Sequence, residues 1–457
     1  MFSTSEFSRR QAAVAAVTCG FMALPELVAV LPFLAPQTSF AQQPTSSRVE
    51  ELEKKLDDSL KLIERLGRRI DELEAKVTPA SPRAQSTAPA AAAAAPKPEE
   101  RLLAIERKVE DISVAQSKSS IDFGLPLHGF LDVGYSKAGL GAGPDRSNGF
   151  ALGTLDFYLT PQIGRVRSLI ELVFEHDTTK GLSNDLERLQ VGYAFSDAAT
   201  LWLGRFHTPY GFWNTAFHHG AQLQTSILRP RFVDFEDKGG ILPSHGVGLW
   251  LTGLRPAQGG KWTYDLYLAN GSRSVEGKLD PNVGRDDNSN QAVGFRTGYE
   301  FGGKLRGLQI GLHGLTEEVD AYGADNALLN RARLNMLGAF ASYQGDPWEV
   351  ISEYYAFRNK DLGAGTGRRA SWAGFVQAGR SFGDWTPYLR LEKTSLDQAD
   401  PYFRSQQSGR SYNRAALGIR YDLSPQAALK MEINRTRQPQ VPDGDYNQAS
   451  LQYSIRF

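Results

Sequence analysis

Cysteine is nearly absent from the sequence. Among 457 residues there is one, Cys19, and it falls within an apolar N-terminal segment that we expect to be removed. Without that segment the chain has no thiol left, which excludes disulfides and thiol chemistry from the mature protein.

Long apolar runs are also missing after residue 45, and the mean hydropathy of the chain is negative. A membrane helix needs roughly 18 to 20 uninterrupted apolar residues, so the body of the chain contains no such helix. The other structure that satisfies every backbone group in lipid is a closed β-barrel. If this chain crosses a membrane, it must therefore do so as a barrel.

Neither sign of charge is in excess. The 51 Lys and Arg residues balance 51 Asp and Glu residues, and no Lys/Arg-rich block stands in the body of the chain. A nucleic-acid surface requires such a basic footprint, so nucleic acid is not expected as a partner.

The first 41 residues have the features of an export signal. Arg9-Arg10 precede an apolar run over residues 12–34, and Ser39-Phe40-Ala41 forms a small-x-small cleavage site. Two prolines and a glutamate interrupt the run, which argues against an uncleaved anchor. Residues 1–41 are therefore predicted to be a signal peptide.

A seven-residue repeat follows over residues 48–77. One register holds Val49, Leu56, Ile63, Ile70 and Val77, and the complementary register holds Leu52, Ser59, Leu66 and Leu73. This spacing predicts a coiled coil of about four heptads. The β-branched residues of the first register favour two strands, whereas the Arg-h-x-x-h-Glu pattern around Val49 and Ile70 resembles short trimeric coiled coils. We predict a trimer, and the dimer stays open.

Two further segments separate the coiled coil from the rest of the chain. Residues 78–98 are rich in Pro, Ala and Ser without apolar periodicity, which indicates a semi-extended linker. Residues 99–118 place Leu102, Ile105, Val109 and Ile112 on one face, which predicts a short amphipathic helix.

From residue 121 to residue 457 the pattern becomes that of β-strands. Segments of about ten residues alternate apolar with polar side chains, between clusters of Gly, Asp, Asn, Pro and Ser. In the clearest segment, 412–422, Leu417 and Ile419 face one way and Arg414 and Arg420 the other. A Lys or Arg facing lipid costs roughly 2 to 4 kcal/mol near the midplane, so the charged face must point into a lumen.

About sixteen such segments can be counted. They lie approximately at 126–135, 150–160, 165–176, 186–196, 199–206, 245–254, 262–270, 291–301, 307–316, 331–344, 347–358, 371–382, 385–395, 412–422, 427–437 and 446–457. Their connections alternate between about two to seven and about eight to thirty-eight residues, as in outer-membrane barrels, whose short turns lie on the periplasmic side. The prediction is an all-β transmembrane barrel of about 16 antiparallel strands.

The C-terminus carries a resemblance to known proteins. Residues 451–457 place hydrophobic side chains at alternate positions and end in Phe457, which resembles the C-terminal assembly signal of Gram-negative outer-membrane proteins. With the long third loop, residues 121–457 resemble the trimeric porin superfamily. The coiled coil and linker are closest to those of dicarboxylate-channel (DcaP-like) porins. The general-porin loop motif Pro-Glu-Phe-Gly-Gly is absent, and residues 235–240 (FEDKGG) stand in its place.

The resemblance implies partners and a location. It predicts a homotrimer in the outer membrane, in contact with its lipid, with the N-terminal stalk in the periplasm. It also predicts insertion by the barrel-assembly machinery through Phe457, and the passage of small hydrophilic solutes.

The resemblance further implies that the third loop, residues 207–244, folds into the barrel and narrows it. Opposite charges cluster there at Arg229, Arg231, Asp234, Glu236, Asp237 and Lys238. Opposed charges across a narrow pore sort solutes by charge and dipole, but the same charges could instead pin the loop to the wall. Because the planar Arg fork suits carboxylates, Arg229 and Arg231 favour small anions such as dicarboxylates.

Alternation predicts further charged side chains that face the pore. The cations are Arg167, Arg188, Arg296, Arg390, Arg414, Arg420, Lys430 and Arg456, and the anions are Asp156, Glu171, Glu175, Asp265, Glu300, Glu392 and Glu432. Eight against seven does not indicate a selectivity. Four of the seven histidines, His207, His218, His219 and His245, lie in or beside the loop, but their spacing does not favour a metal site. No catalytic residue and no cofactor is predicted.

Two alternatives to a diffusion channel stay open. The coiled coil could be the working part, with the barrel as an anchor and the stalk as a spacer or tether within the envelope. The weaker alternative is an outer-membrane barrel hydrolase, although no Gly-x-Ser-x-Gly nucleophile elbow is present.

Overall fold

A computed structural model of the chain describes residues 127–457, apart from positions 140–141, 143–147, 178–180, 197, 218–219, 283, 285, 287, 289 and 364–366. The predicted signal peptide, coiled coil, linker and amphipathic helix lie outside the described residues.

The described chain is built on one sheet, in which the long strands pair antiparallel with one another. Of its nineteen strands, three are segments of two or three residues, and the other sixteen form the wall. The first eight are β1 Leu127–Ala138, β2 Asn148–Leu159, β3 Val166–Asp177, β4 Gly181–Ser196, β5 Ala199–His207, β6 His245–Ala257, β7 Gly260–Ala269 and β8 Ala292–Phe301. The second eight are β9 Leu308–Tyr322, β10 Leu328–Gln344, β11 Trp348–Asp361, β12 Arg368–Arg380, β13 Trp385–Ser395, β14 Asn413–Ser424, β15 Ala427–Arg437 and β16 Tyr446–Arg456.

The last strand closes the sheet by pairing with the first. Along the seam between β1 and β16, Phe130 lies opposite Arg456 and Tyr135 opposite Leu451. The backbone of Phe457 continues the ladder, because its N–H donates to the Gly129 carbonyl at 3.0 Å. A side chain at Gly129 would collide with the Phe457 ring, so the glycine makes room for the terminal residue. Closure leaves the sheet without an open edge.

Side chains alternate across the wall as the sequence predicts. On β15, Leu429, Met431 and Ile433 are each about half exposed on the outer face, whereas Lys430 and Glu432 are buried within the barrel. The outward side chains of neighbouring strands form an apolar belt around the barrel, which fits a hydrocarbon environment. No helix within the described residues is long and apolar enough to cross a bilayer.

All sixteen predicted strands are confirmed, but three of the predicted long loops are wrong in length. The connections after β3, β9 and β11 span only residues 178–180, 323–327 and 362–367, because the strands run further than the apolar alternation does. Polar pairs extend the ladder between β9 and β10, where Arg331 bonds Asp320 and Arg333 bonds Glu318. Cross-strand ion pairs stabilise the outer face of this hairpin, whereas Val319 and Leu334 are buried on its inner face. The charged outer face is why hydrophobic periodicity missed the end of β9.

Candidate functional site

The connection between β5 and β6, residues 208–244, folds into the barrel, and we call it the inner loop. Its side chains join a buried apolar cluster with inward residues of β10–β12. Trp213 packs edge-on against Phe375 with ring centroids 5.7 Å apart, and Phe232 packs against Tyr355 at 5.2 Å. This packing anchors the loop to β10–β12, while buried polar residues such as Asp156 and Glu171 line the inner face of β2 and β3.

Three buried carboxylates of the wall hold the loop backbone. Glu353 on β11 accepts the N–H of Trp213 at 2.6 Å. Glu392 on β13 accepts the N–H of Arg231 at 2.8 Å, and Glu432 on β15 accepts the N–H of Ile227 at 3.1 Å. Loop amides that have left the sheet need such partners, since a buried unpaired amide is costly. Alternation predicts that Glu392 and Glu432 face the lumen, but it does not predict their contacts with the loop, and Glu353 is absent from the predicted residues.

Predicted lumen-facing cations hold the loop carbonyls in the same way. Arg390 donates to the carbonyl of Leu228 at 2.8 Å, and Arg296 donates to that of Gly211 at 2.8 Å. Arg420 donates to the carbonyl of Gln222 at 2.6 Å, and Lys430 to that of Ser226 at 3.3 Å. These four side chains do point inward, but they meet the loop backbone.

The wall opposite the loop is acidic. Glu171 and Asp156 are fully buried on its inner face, and Glu171 contacts both Arg188 and, at 3.4 Å, His207. Arg167 is exposed on β3 near the short-turn rim.

Five of the six predicted constriction residues have described side chains, and these five separate into two kinds. Arg229 is buried within the loop, where it donates to the carbonyls of Phe217 at 3.0 Å and Val233 at 2.9 Å and lies 3.7 Å from Asp234. Burial lowers the pKa of the Arg229 guanidinium. Glu236 is buried as well and accepts the N–H of His245 at 2.8 Å.

Burial alone would raise the pKa of Glu236, but the adjacent His245 ring and its hydrogen bonds outweigh that effect and lower the pKa. Both Arg229 and Glu236 therefore shape the loop from within.

The other kind retains access to the lumen. Lys238 is 42% exposed, and its Nζ lies 2.8 Å from Glu175 Oε2 on β3, so the loop edge reaches the opposite wall there. Asp234 is a quarter exposed. Arg231 donates to the phenol oxygen of Tyr446 at 3.3 Å. The side chain of Asp237 lies outside the described residues.

A second guanidinium meets Arg231 at the same phenol. Arg414 on β14 donates to Tyr446 Oη at 2.8 Å, so two positive groups converge at the first residue of β16. Positive groups thus stand at the loop edge and on β14, while carboxylates line β2 and β3.

Two of the four histidines considered above are close together. The His207 and His245 rings lie 5.4 Å apart, and His245 contacts Glu187 at 2.7 Å and Glu236 at 3.1 Å. His218 and His219 lie outside the described residues.

Comparison with solved structures bears on this architecture. The anion-selective porin from Comamonas acidovorans superposes with a TM-score of 0.50 at 14% identity, over 72% of this chain and 98% of that one. The barrel has the fold of outer-membrane porins. The closed wall of sixteen antiparallel strands is the part of the chain that shares this fold.

Other solved structures resemble this porin barrel less well. The outer membrane channel DcaP of Acinetobacter baumannii has 11% identity and a TM-score of 0.49, over 72% of this chain and 96% of that one. The trimer form of OmpT from Vibrio cholerae has 10% identity and a TM-score of 0.48, over 72% and 98%. No protein-family model and no curated protein matches the chain.

Proposed function

We propose that this protein is an outer-membrane porin, a passive diffusion channel for small hydrophilic solutes. The observation that carries the proposal is the inner loop, which is anchored inside a closed barrel with an apolar belt outside and charges inside. Sixteen-stranded barrels are wide enough to leave an aqueous passage past such a loop. The export signal and the terminal Phe457 support placement in the outer membrane.

Liposome swelling tests this function. Proteoliposomes of the mature chain should swell in isotonic pentose or hexose and should not swell in a polysaccharide too large for the passage. Equal swelling in both, or in neither, contradicts a sieving channel.

We further propose that the passage favours small anions. Its support is the location of Arg231 and Lys238, which place positive charge where the loop narrows the lumen. Arg229 has its donors inside the loop, so in this proposal it shapes the constriction instead of meeting solutes. In a salt gradient, the reversal potential should indicate anion preference and move toward zero in Arg231→Ala plus Lys238→Ala. A cation preference in the unmutated protein rules this out.

We propose a homotrimer on the basis of the heptads over residues 48–77. Deleting those residues should lower the mass of the detergent-solubilised particle or its resistance to dissociation, while conductance per barrel stays unchanged. A stable trimer without the segment would assign trimerisation to the barrel. The tethering role of the coiled coil has no support among the described residues, so it stays the alternative.

A further inference from the structure

Two neighbouring short turns form a basic patch at one rim of the barrel. They join β6 to β7 and β8 to β9, and the Gly302 N–H donates to the Gly259 carbonyl at 2.7 Å, so the turns are in direct contact. We call Arg255, Lys304 and Arg306, together with the aromatic residues beside them, the rim patch. All three cations are exposed.

The charge of the rim patch is not neutralised within the protein. Lys261 and Glu300 pair with each other at 3.0 Å. No ion pair in the described part of the chain engages Arg255, Lys304 or Arg306. Three positive charges therefore remain for an external anion.

The aromatic half of the patch faces the lipid side of the wall. Cross-strand register places Arg255 directly opposite Trp262, and Trp262 directly opposite Tyr299. Trp262 is half exposed and packs edge-on against Tyr299 at 4.9 Å, and Tyr299 packs against Phe301 at 4.8 Å. Aromatic rows of this kind mark the level of the lipid headgroups in membrane barrels.

We propose that the rim patch binds the headgroup of an anionic phospholipid from the periplasmic leaflet. This rests on the outer-membrane placement proposed above, which puts short turns at the periplasmic surface. Arg255 and the exposed turn cations meet the phosphodiester, while Trp262 and the half-exposed Leu305 contact the glycerol and upper acyl chains. Basic clusters beside membrane segments bind anionic lipids in this way.

A lipid fits the patch better than the polymer of the cell wall does. Arg255 lies on the outward face of β6, in the same row as Trp262 and Tyr299, where a periplasmic polymer has no access but a lipid headgroup does. Each Lys or Arg near a lipid surface contributes about a fivefold preference at low salt, so three predict roughly a hundredfold preference for anionic lipid.

The test measures lipid retention by native mass spectrometry. The full mature chain is equilibrated with equal amounts of phosphatidylglycerol and phosphatidylcholine, and the patch variant is Arg255→Gln, Lys304→Gln and Arg306→Gln. The matched control is Lys393→Gln, Arg435→Gln and Arg437→Gln, which removes three exposed cations near the opposite rim. We expect strong retention of phosphatidylglycerol by the unmutated protein and the control, and roughly a hundredfold loss of that preference in the patch variant.

The proposal is overturned if the patch variant keeps its preference for phosphatidylglycerol, or if the patch and control variants lose that preference equally. A second assay measures cosedimentation with purified peptidoglycan. If the unmutated protein shows no lipid preference, and if only the patch variant fails to cosediment, the proposal is overturned and the patch is assigned to the cell wall. Conductance is measured on the same samples, so a failure of the lipid site is distinguishable from a failure of the channel.

Discussion

At the scale of single residues, inward charge alone does not identify what a solute meets. Arg390 and Lys238 are both cations in the lumen, yet Arg390 is fully buried and Lys238 is 42% exposed. The difference comes from the loop backbone, whose carbonyls occupy the donors of Arg390. We therefore expect ion selectivity to depend on the few exposed side chains in the lumen. The position of the loop should depend on the many buried ones.

Lys238 is the residue at which we expect the clearest change in selectivity. A unit charge about 4 Å away contributes about 1 kcal/mol even in water, so Lys238→Gln should lower the anion-to-cation permeability ratio up to about fivefold. Reversal potentials in a potassium chloride gradient measure this ratio. The control is Lys393→Gln, which removes the same charge from the exposed outer face. Equal permeability ratios in the two variants would show that Lys238 does not contribute to selectivity at the constriction.

Arg390 is the residue at which we expect the largest effect on stability. It donates to Glu392 at 2.9 Å and to Ser226 at 2.9 Å, and all donors face buried groups. Arg390→Met removes one partner of the buried Glu392 carboxylate. Breaking a buried ion pair in this way typically lowers the free energy of unfolding by about 3 to 5 kcal/mol. Thermal unfolding in detergent should show a lower midpoint, and the inner loop should become sensitive to protease. Arg435→Met, on the exposed face of β15, should change neither.

At the scale of elements, the inner loop is positioned by a glycine where it begins. Gly211 has φ +61°, and a Cβ there would lie 2.1 Å from Glu353 Oε2 and 2.3 Å from Tyr355 Oη. Gly164, in a turn at the short-turn rim, has φ +59° and nothing within 4 Å of a Cβ. Alanine substitutions at these two glycines therefore separate the effect of backbone strain from the effect of a collision in the lumen.

Gly211→Ala should therefore displace the loop, whereas Gly164→Ala should cost only the strain of a left-handed alanine, about 1 to 2 kcal/mol. Single-channel recordings of Gly211→Ala are expected to show altered and noisier conductance, with Gly164→Ala resembling the unmutated channel. If both variants conduct alike, the contact of Gly211 with Glu353 does not set the position of the loop.

A second connection, residues 396–412, also packs inside the barrel and should respond to pH. Asp400 accepts the N–H of Tyr402 at 3.0 Å and the side-chain amide of Asn359 at 2.9 Å, with Asp397 and Arg369 nearby. Burial raises the pKa of Asp400 from 3.8 to about 6. The folded loop thus prefers the protonated acid, and the stability this provides is complete below about pH 3.8 and lost as the pH rises through about 6.

Hydrogen exchange of residues 396–412, corrected for intrinsic rates, checks this. Protection should fall between pH 5 and pH 7.5 in the unmutated protein and stay level in Asp400→Asn. Asp443→Asn, an exposed carboxylate in the connection between β15 and β16, should leave the pH response in place. A fall of the same size in Asp400→Asn would place the titrating group elsewhere.

At the scale of the whole molecule, the wall could be predicted from sequence far better than its contents. Alternation gave all sixteen strands because lipid outside and water inside impose a period of two on every strand. The end of β9 was missed because ion pairs such as Asp320 with Arg331 replace apolar side chains on its outer face. Hydrophobic periodicity carries no signal there.

The lumen could be predicted only in part. Sequence indicated that the inner loop carries opposed charges, but it could not separate buried Arg229 from exposed Lys238, since burial depends on the folded loop. Arg229 donates to the Phe217 and Val233 carbonyls within the loop, whereas Lys238 extends to Glu175 on β3. Glu353 was missed for the same reason, because its role is to accept the Trp213 amide from a distant loop. The terminal Phe457 lies against Gly129 at the closing seam, and its role as an assembly signal stays a prediction.

The central claim is that the closed barrel conducts through the space beside the inner loop. Single-channel current in planar bilayers, recorded from the purified mature chain, tests it most directly. The account predicts discrete, roughly ohmic steps whose reversal potential in a salt gradient indicates anion preference and whose size changes in Gly211→Ala. Bilayers that incorporate the protein and stay electrically silent would contradict it.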